Sequence, residues 1–374
     1  MTYSKEWCRA LTPQLDCAMP LPPLIGHERV KTRLAGAHAS AKLPQALLLA
    51  GPRGVGKQRL ALWLAQLIHC DAPRGSDPQE PCGDCRPCRL VVSLQHPDVH
   101  WFVPIELGKR GGSSGTGGGA DAEKQVELAA DALAEEMAAR REQPLYGPPS
   151  GLASHPVAAV RLLLKRLALT PAMGRRKVFI VGDAERLIPQ LGTEVAANAL
   201  LKALEEPPAD SVIILTAADP SALLPTVLSR IVLVRVARIA DSDVTAFAQQ
   251  KLGIGNKAEL AQRVTAAEGC IGKLFATAPV RSGQAGGDQA ARFLDAPWLF
   301  ALGQVPFQAR GGFTDMLDSL ASRLRSEAQR GGDTEKLVEA IALVLDARDL
   351  AQGNVNPQLL AAVLAEDLQT RRAS

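Results

Sequence analysis

Apolar residues follow two alternating rhythms along the first two-thirds of the chain. Residues 45–50 form a short apolar run that stops at a Gly-Pro turn, and over 57–70 leucines and alanines recur at helical spacing. That predicts a strand, a loop and a helix. Two further apolar runs, 177–181 and 211–216, flank a helical pattern carried by Val195, Ala196, Ala199, Leu200, Leu201 and Leu204. A fourth run, 231–236, holds Arg235 inside it. Strands alternating with helices predict an α/β fold built on a parallel sheet. Pro207 and Pro208 put the end of the intervening helix at Glu206, because a proline nitrogen cannot donate and the residue before proline avoids helical angles.

Beyond residue 236 the strand signals fade, and helical patterns run to the end with a Gly-rich break at 282–287. The division expected is a nucleotide-binding-like domain over 1–236, a small helical domain over 237–281 and a helical bundle over 282–374. Within the bundle, apolar residues recur every three or four positions over 316–328, 335–349 and 359–368. Residues 107–150 turn to Gly-Ser repeats and then to an Ala-Glu-Arg helix with few large apolar residues, which reads as a solvated, flexible insertion.

Composition narrows the class without naming a partner. A chain of 374 residues with 47% hydrophobic and 22% charged content belongs to the soluble globular range and exceeds one compact core. Its net charge of +3 is too small to mark the whole molecule as a nucleic-acid binder. Residues 1–25 mix Lys5, Glu6, Arg9 and Asp16 with prolines, so they lack the apolar core of a signal peptide. No stretch of about 18 uninterrupted apolar residues occurs either, and the expectation is a cytoplasmic protein with no membrane partner.

The loop between the first strand and its helix carries the chemistry. Gly51-Pro-Arg-Gly54-Val-Gly56-Lys57 has phosphate-loop spacing, with glycines that let backbone amides wrap an anion and a lysine set to meet phosphate oxygens. A strand-to-helix turn that merely matches the pattern is the alternative. The next position should hold magnesium through Ser or Thr, and here it is Gln58. The strand at 177–181 should end in metal-coordinating acids, yet it continues Gly182-Asp183-Ala184-Glu185, with Asp183 the only carboxylate close to the expected pair. ATP could therefore be held through Gly51, Gly54, Gly56, Lys57 and Asp183, with hydrolysis feeble or absent.

Four of the seven cysteines, Cys70, Cys82, Cys85 and Cys88, crowd together, the last three as overlapping Cys-x-x-Cys steps. Four thiolates suit a structural tetrahedral zinc. An iron-sulfur cluster or a redox dithiol is the lesser alternative. Cys8, Cys17 and Cys270 stand alone and read as small apolar packing. Farther on, Ser229 and Arg230 lie on a turn before the fourth strand. A guanidinium there could reach a phosphate bound by an adjacent subunit, although from spacing alone a solvated surface arginine is the commoner explanation.

These segments resemble the bacterial clamp-loader AAA+ family, and the delta-prime branch of DNA polymerase III in particular. The resemblance rests on 43–52, on the cysteine cluster followed by His96-Pro97-Asp98, and on the run 198–208 ending Leu-Glu-Glu-Pro-Pro. Ser229-Arg230 and the Asn356-Pro357 segment add to it. Motor subunits of that family carry an intact phosphate loop, an Asp-Glu pair and Ser-Arg-Cys. This chain departs at Gln58, at Gly182-Asp183 and at Ile231, and 269–273 lacks the sensor arginine. The resemblance implies a small helical lid domain over 237–281 and a C-terminal collar over 282–374. It also implies a stationary subunit that supplies Arg230, with Ser229, as a trans arginine finger. The partners implied are gamma/tau and delta subunits, the beta sliding clamp and primed DNA. Two rivals remain: an active P-loop ATPase motor, and a zinc-stapled DNA-binding protein with a vestigial nucleotide fold.

Overall fold

The computed structural model describes residues 21, 24–75, 79–106, 119–143, 153–174, 176–187, 194–252, 254, 256–276, 293, 310–329, 334–351 and 357–373. Two compact units divide the chain. The first takes in Met1–Pro148, Ser154–Ile188 and Glu194–Ala278, and the second is chiefly Pro279–Ser374.

The first unit is built on five parallel strands: β1 (Ala46–Ala50), β2 (Val99–Phe102), β3 (Lys177–Val181), β4 (Ser211–Ala217) and β5 (Val232–Arg235). Their spatial order is β2-β3-β4-β1-β5. Every residue of β1, β3 and β4 is buried, which is why these strands read as unbroken apolar runs and not as alternation. Helices cover the sheet: α1 (Glu28–Ala39), α2 (Lys57–His69), α3 (Arg86–Val92), α4 (Gly119–Glu142), α5 (Val157–Leu167) and α6 (Val195–Glu205). The α/β parallel-sheet expectation is met, with β3 and α6 on their expected residues and α6 capped at Glu206. The apolar pattern does not predict strand β2. It is four residues long, begins just after Pro97 and holds His100, so its apolar signal is weak.

Helix α4 corrects the picture of 107–150 as a solvated insertion. Val126, Ala129 and Leu133 are buried in the main core, and Lys165 of α5 pairs with Glu123 at 2.8 Å. The guanidinium of Arg140 lies 4.5 Å over the ring of Trp101. The stripe at i, i+3 and i+7 is real but small-sided, which hides it in an alanine-rich sequence. Residues 107–118 and 144–150 lie outside the described residues, as do Cys8, Cys17 and the break at 282–287.

After the short helix α7 (Pro225–Leu228) and β5, helices α8 (Asp241–Leu252), α9 (Lys257–Ala267) and α10 (Lys273–Ala276) gather a cluster of their own around Val244, Phe247 and Leu274. The second unit contains α11 (Arg310–Gln329), α12 (Thr334–Ala351) and α13 (Pro357–Ala373), which bury Phe313, Leu317, Leu320, Val344 and Leu364 together. These described helices cover the three predicted patterns and extend each. Among the described residues, no helix is long and apolar enough to cross a membrane.

Candidate functional site: a closed phosphate loop, a thiol cluster and a held arginine

β3, β4 and β1 are neighbours in the parallel sheet, so their carboxyl ends lie side by side, the end at which open parallel sheets bind ligands. β1 delivers the chain into the loop 51–57, whose left-handed residues Gly54 (φ 76°) and Gly56 (φ 105°) need glycine. Lys57 then starts α2, as the phosphate-loop pattern predicts. Its ammonium is buried and turned back into its own loop, donating to the carbonyls of Gly51 at 2.7 Å and Pro52 at 2.9 Å. Burial lowers its pKa, against the opposing pull of Asp183 and Glu185.

Glu185 therefore joins Asp183 as a second carboxylate acting on Lys57, although the sequence singled out Asp183 alone. One Glu185 oxygen accepts from the Ala218 amide at 3.3 Å, and burial followed by the Asp183 charge raises its pKa. Its place on the turn Ala184–Leu187 behind β3 was the available signal.

Gln58 stands where the motif asks for a hydroxyl, and its Nε2 donates to Asp183 Oδ2 at 3.1 Å. A carboxylate only accepts, so the amide must present its N–H to it. The same amide fills the space beside Gly182: a Cβ on Gly182 would come within 2.7 Å of Gln58 Nε2. The departures from the motif at Gln58 and at Gly182-Asp183 are thus one packed contact. An N–H directed at Asp183 opposes a cation there, so these residues do not fit a magnesium ion.

Two further loop carbonyls are also occupied. His27, itself left-handed at φ 64°, places Nε2 2.9 Å from Val55 O, and the Gly272 amide donates to Gly54 O at 2.8 Å. Behind β3, the imidazole of His155 sits 2.7 Å from Gly182 O, and burial drives its pKa down to about 4, so it is a neutral donor. His27, Lys57 and Gly272 thus each hold a carbonyl of the loop.

Cys70 caps the far end of α2, and Cys85 and Cys88 flank the start of α3. With Cys82, their Sγ atoms all lie within 4.8 Å of one another. Cys82 and Cys88 sulfurs are 3.9 Å apart. A tetrahedral Zn–S shell implies an S···S edge of about 3.8 Å, so the donor set fits a metal ion. Amides of Cys82 and Cys85 donate to the sulfurs of Cys70 and Cys82, each at 3.3 Å. The Cys85 amide leads the influences that bring the Cys82 thiol down to about 6. Cys270 is buried in the main core, consistent with packing.

Ser229 ends α7, and Arg230 follows it. Among the described residues, the side-chain bonds of Arg230 go to Glu205, Thr226 and Ser229, and none reaches the phosphate loop.

With that geometry in view, residues 26–240 match the family model described as DNA polymerase III, delta subunit. The chain belongs to this DNA polymerase III delta family. The clamp-loader resemblance seen in the sequence is borne out at that level. Among its relatives, a DNA polymerase III subunit delta' of Pseudomonas aeruginosa is 33% identical over 193 residues, covering 51% of this chain and 43% of the relative. The Bacillus subtilis subunit delta' is 30% identical over 202 residues, covering 54% and 45%. A subunit tau of Salmonella typhimurium is 28% identical over 207 residues, 55% of this chain and 24% of the relative. The matched region spans less than half of each relative's own length.

Proposed function

We propose that the chain is the delta-prime, stationary subunit of a DNA polymerase III clamp loader. It would activate a neighbouring ATPase subunit with Arg230 while hydrolysing little or no ATP itself. The observation that carries this reading is the bond between Gln58 and Asp183: the residue that replaces the metal-holding hydroxyl donates an amide hydrogen to the remaining carboxylate, so the triphosphate would lack its metal. Gly51, Gly54, Gly56 and Lys57 would retain, at most, a capacity to hold nucleotide. The partners are gamma/tau and delta subunits, and through them the beta sliding clamp and primed DNA, in the cytoplasm. Residues 237–281 would serve as lid and 282–374 as collar to the 1–236 domain, and Cys70, Cys82, Cys85 and Cys88 would hold a structural zinc.

Reconstitution with motor and delta subunits tests the proposal. Arg230→Ala should leave assembly intact and lower the ATPase of the complex, by a factor of up to about 10³ at the site it serves. Undiminished turnover and clamp loading would remove the finger assignment. The isolated chain should show no ATP turnover, and turnover abolished by Lys57→Ala would instead favour the motor reading. Tight, salt-sensitive DNA binding by the isolated chain would favour the zinc-stapled DNA binder.

A further inference from the structure

The bonds of Arg230 engage most of its hydrogen-bonding capacity. Nε lies 2.6 Å and Nη2 2.5 Å from the same oxygen of Glu205. Nη1 donates to Thr226 O at 2.7 Å and to Ser229 Oγ at 3.1 Å. A guanidinium has five N–H groups, so one hydrogen of Nη2 is left outside these contacts. A fork grip on a phosphate needs two N–H groups side by side. Arg230 cannot take that grip without releasing a partner, and only Glu205 among its partners carries a charge that repels phosphate.

The position of Glu205 is itself unusual. It is the last residue of α6, fixed there by Pro207 and Pro208, so its negative charge lies at the negative end of the helix. Helix electrostatics disfavour a carboxylate there unless a cation answers it, and Arg230 is the cation in contact. Both side chains remain partly open to solvent, 31% for Arg230 and 46% for Glu205, so an incoming phosphate has access to the pair.

We infer that Glu205 is a positioning residue: it holds Arg230 parked in the free chain and competes with a neighbour's triphosphate for the guanidinium. The inference rests on the trans-finger reading above. Glu205 must be displaced before the nucleotide is gripped, and it stays displaced through the reaction. Its removal therefore strengthens substrate and transition-state binding alike, which lowers KM and leaves kcat in place.

The test measures ATPase against ATP concentration in the reconstituted complex for wild type, Glu205→Gln, Arg230→Ala and the double variant. Glu205→Gln keeps the side chain's size and removes its charge. It should lower KM for ATP by about two- to fivefold, the range expected for releasing a partly exposed ion pair, with no such shift when Arg230 is alanine. An unchanged KM in Glu205→Gln beside a crippled Arg230→Ala complex overturns the inference and leaves the finger standing. A KM shift that survives in the double variant also overturns it. If Arg230→Ala leaves turnover untouched, the finger reading fails and this inference fails with it. In the free chain, the Arg230 Nε–H should exchange with water faster in Glu205→Gln than in wild type, and equal exchange overturns the parked geometry.

Discussion

Gln58 illustrates how one side chain can close a site from two directions. Its amide bonds the surviving carboxylate and fills the volume that a side chain on residue 182 would need. The sequence exhibits both departures from the motif, but not that they touch. The same holds for Arg230 and Glu205, each visible as part of a pattern and paired only by the fold. His155 gives a residue-scale prediction. Its unfolded pKa is 6.5 and its folded value about 4, so the neutral form is the folded form. Stability from this group is complete above pH 6.5 and is lost as pH falls from 6.5 toward 4, amounting to about 3 kcal/mol at most. His155→Gln, which keeps a donor for Gly182 O and cannot charge, should flatten that part of the profile. Denaturant midpoints at pH 7 and pH 4.5 would measure it; equal pH sensitivity in wild type and variant would contradict it.

At the scale of elements, α4 is the case where composition misleads. Its burial of Val126, Ala129 and Leu133 makes it part of the sheet domain's core. Leu133→Ala should cost about 2–5 kcal/mol, read as a lowered denaturant midpoint in the full chain. A loss below about 0.5 kcal/mol would mean that the helix is a surface appendage. Strands β1, β3 and β4 were legible because burial on both faces leaves an apolar run between turn signals. β2 was not, since Val99-His100-Trp101-Phe102 is short and polar at one of its four places. Its position is secured by long-range contacts instead. Just before it, the Asp98 carboxylate accepts the amides of Ala172, Met173 and Gly174 at 2.6–2.8 Å, tying the entrance of β2 to the loop before β3. Burial alone would raise the pKa of Asp98, and those amides outweigh it and lower it.

For the molecule as a whole, the thiol cluster and the closed loop flank a single helix. α2 begins at Lys57 and is capped by Cys70, so whatever fixes the cysteines also steadies the loop's helix. Removing the metal with a chelator should lower the melting temperature of the full chain, because a four-thiolate site contributes folding energy and not a chemical step. Equal melting of metal-loaded and metal-free protein would rule out that role. A second join lies at the loop's tip. Gly54 and Gly272 meet back to back: a Cβ on Gly272 would lie 2.6 Å from Gly54 Cα, and one on Gly54 3.1 Å from Gly272 Cα. The helices after β5 therefore touch the loop backbone to backbone, with the Gly272 amide also donating to Gly54 O, and any methyl at either glycine would act as a wedge in the seam.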